Sequence, residues 1–556
     1  MGLYSMSEED DKNVTNVTNV YISDSVISKS RILGEKKEPE EEPEEEPEEE
    51  PEYETKDIYE RRWIILALMS LSLIIVILNN VTLNVALPEL SLDLGADNTD
   101  LQWMVDAYAL VFGGTLLVMG AIGDRFGRKP ALQLGLIIVA LTSGATANYA
   151  STSEHVIFAR AIMGLGAALV MPATLSVVVV VFPSEERGKA VGIWAAMAGA
   201  GAPIGLIVGG WSVENYGWEM VFWINVPVIL VALILGLFLV PNSKDSQKRP
   251  LDLVGSILSI GALSSILYAI IEAPNAGWTS TETLGIAALG LALTFAFIKW
   301  ERSTEHPMLP INLFSNMGFT MGLVAISLAF FVMFSFMFTQ MLHFQLVRGH
   351  TALEAAVRFI PLPMGLMPAA ANSDKLVAKF GNNNVVALGL TLVCTGMLLF
   401  TTVEVGTEYL RIALTFFILG LGMGLTMAPS TTMVMDSIPE DKAGVGSATN
   451  DASREIGGAL GIAIGGSVLN EIYQNNLIVP EGLETYSPIA TESFPAAMRI
   501  GRQLIGQGDI DMLGSELIAN ARLAFMEGMV GTAMVSAGVA FFTALLVKFY
   551  MPGKAK

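Results

Sequence analysis

The sequence predicts an all-α polytopic membrane protein, with two pseudo-symmetric six-helix bundles, two linker helices between them and 14 transmembrane helices in total. Three observations predict this class. Of 556 residues, 52% are hydrophobic and 15% charged, where a soluble domain carries about 25% charged residues. Apolar runs long enough to cross a bilayer recur from Trp63 to Tyr550. Landmarks in the first half of the chain return in the second at a nearly constant displacement, the mark of repeated halves. Together these exclude a soluble multidomain enzyme, a nucleic-acid binder and a disordered scaffold.

The first element, residues 1–60, is an acidic tail with 20 acidic and 6 basic side chains. Glutamate triplets broken by Pro43, Pro47 and Pro51 repel one another and resist helix, so the tail is expected to be disordered and cytoplasmic. The other 496 residues hold 34 acidic and 26 basic groups, so most of the net charge of −22 belongs to the tail. The single cysteine, Cys394, lies in an apolar run and allows no intramolecular disulfide.

Spans of about 20 apolar residues fall near 63–86, 102–122, 131–150, 156–182, 189–211 and 219–240. These make up a first bundle over 61–242. Two linker helices within 243–306 follow, near 252–272 and 283–300. A second bundle over 307–556 has spans near 318–342, 353–372, 384–403, 409–434, 443–469 and 526–551, with a long outside loop at 470–525. Basic residues cluster in alternate loops: Arg61 and Arg62; Arg125, Arg128 and Lys129; Lys244, Lys248 and Arg249; Lys375 and Lys379; Lys442; Lys554 and Lys556. The short opposite loops near 87–101, 151–155, 211–218 and 273–282 carry none, which predicts a multi-pass protein of the plasma membrane with both termini cytoplasmic.

The repeat is read from three landmarks. Asp124-Arg125-Phe126-Gly127-Arg128-Lys129 after the second span parallels Ala378 to Asn383 after the tenth, displaced by 254 residues. Gly201, Gly205 and Gly209 parallel Gly457, Gly461 and Gly465, displaced by 256. Lys189 to Gly192 and Lys442 to Gly446 precede these two glycine runs. Glycine at every fourth position lets membrane helices approach closely.

The stretch from Gly120 through Asp124 and Gly127 to Lys129 resembles the cytoplasmic loop signature of the major facilitator superfamily. With fourteen spans the chain looks like its drug:proton antiporter branch, of EmrB/QacA type. Similar stretches include Asn84 to Pro88, Gln102-Trp103 with Tyr108, Arg160 to Pro172, Phe222 to Pro227, and Gly444 to Gly466 around Arg454. The resemblance implies proton-coupled efflux of lipophilic or cationic drugs by alternating access. It implies no enzyme activity, cofactor, metal, nucleotide or nucleic acid. The expected partners are a small-molecule substrate, protons and the lipid bilayer, with the monomer as the functional unit. The alternative is a specific exporter or uptake carrier for an endogenous solute such as a peptide, lipid precursor or organic acid.

Site residues follow. Gly120, Asp124, Arg125, Gly127, Arg128 and Lys129 are expected to form a conformational gate, a charge network made in one orientation of the halves and broken in the other. Asp106 and Arg160, each about one turn inside the outer end of its span, are expected to pair and to couple protons, since buried charges in membranes find partners. Gly201, Pro203, Gly205, Gly209 and Gly210 resemble the antiporter helix motif, with Gly205-Leu206 where the family has Gly-Pro. Asn79 stands where the family commonly has an aspartate, and Trp218-Glu219 where it has Trp-Arg. Asn79 cannot titrate, so the remaining proton sites are Asp106, then Glu272, Asp451 or Glu455. Asn79, Asn80, Phe334, Met337 and His343 are expected to line the substrate cavity, flexible thioethers and flat rings suiting varied apolar ligands.

Overall fold

A computed structural model describes residues 55–243, 252–438, 443–506 and 510–553. The acidic tail through residue 54 lies outside the described residues, as do Lys244, Lys248, Arg249, Lys442, Lys554 and Lys556. The first-bundle helices are α1 (Thr55–Asp93), α2 (Asn98–Phe126), α3 (Arg128–Tyr149), α4 (Ser153–Val181), α5 (Ser184–Tyr216), α6 (Met220–Trp223) and α7 (Asn225–Leu239). Next come α8 (Leu253–Ala276) and α9 (Thr281–Ser303). The remainder are α10 (Met317–Leu342), α11 (Ala352–Val357), α12 (Pro361–Phe380), α13 (Asn382–Phe400), α14 (Tyr409–Asp436), α15 (Ala443–Asn476), α16 (Ser487–Glu492), α17 (Phe494–Leu504) and α18 (Asp511–Tyr550). Among the described residues there is no strand.

Among the described residues, twelve segments are long and apolar enough to cross a membrane, where fourteen spans are expected. The two outside that count cover the expected spans at 189–211 and 353–372. Several side chains in the first half of α5 lie outside those described, and its stretch 193–210 is apolar and free of charge in sequence. In α12 the polar run Asn372 to Lys375, with Lys379, shortens the apolar stretch, and a turn at Arg358–Ile360 separates it from α11. A second correction concerns 470–525, expected to be a loop. Helix α15 runs on to Asn476, α16 and α17 follow, and α18 begins at Asp511. Helix α17 buries Phe494, Ala497, Met498, Ile500 and Leu504 on one face, so it docks as an amphipathic helix against the body.

The repeat is built into the backbone. Gly95 and Gly349 have φ of 71° and 70°, and Gly127 and Gly381 have 122° and 85°, each pair 254 residues apart. Asp97 and Asp100 form a capping box at the start of α2, and Thr351 and Glu354 form one at the start of α11. The Arg128 amide donates to the Ser243 carbonyl at 3.0 Å, and the Asn382 amide to the Gly553 carbonyl at 2.9 Å. Packing repeats as well. Helix α1 lies on α5, α2 on α4, and α3 on α4 and α7; correspondingly α10 lies on α15, α12 on α14, and α13 on α14 and α18.

The glycine stripes hold these pairs. A side-chain carbon on Gly201, Gly205 or Gly209 would meet Ile77, Leu78 or Thr82 of α1 at 3.0 to 3.2 Å. On Gly457, Gly461 or Gly465 it would strike Ser327, Phe331 or Ser335 of α10. The residue after each stripe reaches the opposite half. Gly210 abuts Leu353 and Ala352 of α11, and Gly466 abuts Gln102 of α2. Two related seams, α5 with α11 and α2 with α15, therefore close one end of the molecule, the end expected from the loop charges to face outside and called the outer end below.

Candidate functional site

At the opposite end lies a cavity of about 1180 Å³. Its walls include Leu116, Gly120 and Asp124 of α2, Met171 and Leu175 of α4, Trp194 of α5, and Asp451 of α15. The connection after α9, from Arg302 to Asn312, completes the mouth. Trp194 is fixed by its indole N–H, which donates to Thr174 Oγ1 at 3.2 Å. An apolar wall of methionine, leucine and tryptophan, with the carboxylates of Asp124, Asp252, Glu301, Glu305 and Asp451 outnumbering Arg125 and Arg302, suits a lipophilic ligand carrying positive charge.

The loop residues sit at this mouth. Arg128 Nε donates to Asp124 Oδ1 at 3.0 Å, and Lys129 Nζ donates to the Leu237 carbonyl at 2.7 Å. Arg125 lies over the Phe126 ring at 5.5 Å, while Gly127 supplies the positive φ that joins α2 to α3. A carbon added to Gly120 would rest at 3.5 Å from Pro172, an ordinary contact. Asp124 thus bridges α2 to α3 within one half, with no ion pair to the other half among the described residues. Replacing Asp124 with Asn should leave membrane insertion intact and slow transport severalfold, as read by initial export rates at equal protein levels.

The expected Asp106–Arg160 ion pair is not formed, although both side chains are fully buried. Arg160 Nε donates to the Met104 carbonyl at 3.0 Å and its Nη1 to the Asn79 carbonyl at 2.7 Å. Its guanidinium lies 4.2 Å above the Tyr108 ring. Both carboxylate oxygens of Asp106 lack a protein partner. Equal depth placed the two together, but azimuth separates them: Asp106 shares its face of α2 with Gln102 and Gly113, which point to α15. Glu455 of α15 has its Cβ 3.0 Å from where a Gly113 side chain would begin, and its Oε2, like Arg160 Nη2, has no protein partner. Asp451, one turn away, pairs with Arg454 at 3.4 Å and lines the cavity.

None of the five residues expected to line the cavity is among its lining residues. Asn79 accepts from Asn225 Nδ2 at 3.4 Å and, through its carbonyl, holds Arg160, so it belongs to the arginine's support. Asn80 is buried with its Oδ1 unpartnered. Phe334 packs on Gly458, and Met337 is buried in the same core. His343 is fully buried, within 3.3 Å of Gln340 Oε1, accepts from Arg348 Nε at 3.3 Å and stacks on Phe344. In this structure Asn79 and Asn80 pack within the surroundings of α1, and Phe334, Met337 and His343 pack on and just after α10. Sequence reasoning missed Trp194, Met171 and Leu175 as cavity residues, because one tryptophan among alanines and glycines in α5 gave no pattern.

The antiporter-type stretch has a geometric role. Leu353 Cα and the Ala352 carbonyl would lie 2.8 and 2.9 Å from a side-chain carbon on Gly210, and backbone cannot yield. Gly210→Leu should therefore wedge the outer seam open. In a Cys394→Ser background, a cysteine at buried Val85 should then react with an outside, membrane-impermeant maleimide at least about tenfold faster than without the wedge.

An all-helical membrane body closed at one end and hollow at the other, with repeated halves, defines a multi-pass transport protein that carries small molecules. The chain belongs to the Major Facilitator Superfamily, whose model matches residues 69–462. It is 32% identical over 489 residues to the multidrug efflux pump LfrA of Mycolicibacterium smegmatis, covering 88% of this chain and 96% of that protein. It is 30% identical over 498 residues to the tetracenomycin C resistance and export protein of Streptomyces glaucescens, covering 87% and 92%. With the methyl viologen resistance protein SmvA of Salmonella typhimurium it shares 31% over 449 residues, covering 80% and 90%. Among solved structures, a bacterial homologue of the human lysosomal transporter Spinster, inward-facing and unoccupied, superposes with a TM-score of 0.62 at 18% identity, covering 87% and 97%. That last likeness concerns the fold alone.

Proposed function

We propose that the protein is a proton-coupled exporter of lipophilic or cationic drugs, working by alternating access in the plasma membrane. The observation that carries this proposal is the asymmetry of charge across a symmetric scaffold. At a displacement of 254, Arg160 corresponds to Leu414 and Asp106 to Ile360, while Glu455 corresponds to a glycine at 256. The buried charges thus gather at the α2–α15 seam, and the α5–α11 seam meets through Gly210, Leu353 and Ala352. A carrier needs symmetry to rock and asymmetry to couple. Multidrug efflux in the name of one relative and resistance to tetracenomycin C or methyl viologen in the names of two others, all at 30% identity or more, favour drugs over an endogenous solute.

In this scheme the Asp124 end is cytoplasmic, both termini are cytoplasmic, and α5 and α12 cross the membrane with the other twelve. The halves are 61–242 and 307–556, joined by 243–306, and the monomer is the working unit. Substrate enters the cavity beside Trp194 and Asp451. Glu455, when ionised, is held by Arg160; a proton arriving there releases the arginine and lets the seam part. The Asp124–Arg128 bridge keeps α2 and α3 moving as one body. Expression in a pump-deficient bacterial host tests the substrate class. Tolerance to ethidium and methyl viologen should rise together, and unchanged tolerance across a panel of quaternary amines would remove it.

A further inference from the structure

The linker helices have no counterpart in the repeat, and α8 runs along only one of the two seams. It packs against both α2 and α15. Trp103 Nε1 donates to Glu272 Oε1 at 3.3 Å, Asn275 Nδ2 to Thr99 Oγ1 at 3.0 Å, and Ser467 Oγ to the Ile270 carbonyl at 2.8 Å. Among the described residues, no linker helix packs comparably along the α5–α11 seam.

Behind α8 the α2–α15 seam holds a file of buried polar atoms without protein partners. These are Asn98 Oδ1, both side-chain heteroatoms of Gln102, both carboxylate oxygens of Asp106, and Asn470 Oδ1. The four side chains are between 0% and 2% exposed. Residues 98, 102 and 106 recur every turn, about 6 Å apart along one face of α2. Buried polar atoms that the protein leaves unpaired are satisfied by internal water. At the outer end of the file stands Asp97, whose Oδ1 accepts from the Asp100 amide at 2.7 Å. Burial first, and then the nearby charges of Asp100, Glu492 and Glu272, push its carboxyl up to about 6.

Inward of Asp106 the file ends at an apolar layer. Ala109 and Leu110 come from α2, Leu267 and Ile271 from α8, and Ala459 and Ala463 from α15. Beyond that layer Glu455 lies against Gly113. Two tiers of carboxylates are therefore separated by a dry partition to which α8 contributes a third of the residues.

We propose that this file is a proton-loading chamber entered from the outer end, with water held by Gln102 passing protons to Asp106, α8 as its lipid-side wall, and the apolar layer as the barrier against leakage to Glu455. The proposal rests on the proton-coupled export described above. Each transfer along the file forms one O–H bond as the previous one breaks. Gln102 accepts through Oε1 and donates through Nε2 to the file's water, keeping its own protons. Asp106 takes the proton and becomes neutral, which lowers the cost of burying it. The proton crosses to the inner tier only when rocking of the halves offsets α2 from α15.

Full-length protein in liposomes under an imposed proton gradient tests this. Leu267→Gln hydrates the partition from a helix outside both halves, and should collapse the gradient several times faster than wild type with no substrate present. Leu267→Met should hold the gradient as wild type does. Gln102→Leu should cut gradient-driven ethidium export by about tenfold, while exchange of labelled for unlabelled ethidium without a gradient is unchanged. Vesicles of Leu267→Gln that stay sealed with normal exchange overturn the proposal. So does Gln102→Leu with wild-type gradient-driven export, which decides the matter if Leu267→Gln fails to fold. Ethidium export by wild type without proton movement would instead remove the export mechanism, while the leak through Leu267→Gln still reports the partition.

Discussion

Arg160→Lys should stop gradient-driven export, lowering it by about a hundredfold or more while leaving the protein in the membrane. The guanidinium meets three demands at once: two carbonyls, of Met104 on α2 and Asn79 on α1, and the face of Tyr108. A lysine ammonium is a point donor on a flexible stem. It reaches one carbonyl at a time and stacks poorly, so the carbonyls compete for it. It also loses the planar fork that spans the two carbonyls at once. Retained insertion is expected because a positive charge is kept and the site stays filled. Export rate against antibody-measured protein level in membrane vesicles checks both parts.

Glu455→Gln should separate substrate movement from proton movement. Glutamine keeps the shape beside Gly113 and still bonds, but it carries no charge in any protonation state. Gradient-driven export should fall by about a hundredfold, while substrate-for-substrate exchange stays within about twofold of wild type. Asp451→Asn is expected to act differently. Asp451 lines the cavity beside its Arg454 partner, so its loss should weaken binding of cationic substrates more than turnover. Measuring export rate as a function of ethidium concentration separates the two variants.

The scaffold was legible in the chain because hydrophobic length and glycine spacing are one-dimensional signals. The stripes at Gly201 and Gly457 indicated which helix faces needed close neighbours, and Ile77 and Ser327 occupy those places. The break near Ile224 was illegible, since the apolar run continues through it, whereas the one at Arg358–Ile360 is marked by Arg358 and Pro361. The start of α18 at Asp511 was hidden because Glu516, Arg522 and Glu527 interrupt hydrophobicity without interrupting helix.

The site was legible in composition but not in azimuth. Arg160 and Asp106 stood out as buried charges, and depth alone joined them wrongly. A usable signal lay in α15, where Ala459, Ala463 and Gly466 follow Glu455 at four, eight and eleven positions. Small residues on one helical face mark a close approach, and Glu455 leads that face toward Gly113. The cavity wall at Trp194 and Met171 needed three-dimensional packing to appear, as did the burial of His343 against Arg348.

The most direct measurement follows both ions and substrate in one vesicle. Purified protein is reconstituted with a pH-sensitive dye inside, and ethidium entry and internal pH are recorded together after a concentration jump of ethidium with no imposed pH gradient. Wild type should drive protons out as ethidium enters, so internal pH rises in proportion to substrate, and Glu455→Gln should remove the pH change. Ethidium entry through wild type with internal pH constant would contradict proton-coupled export, as would a full pH response from Glu455→Gln.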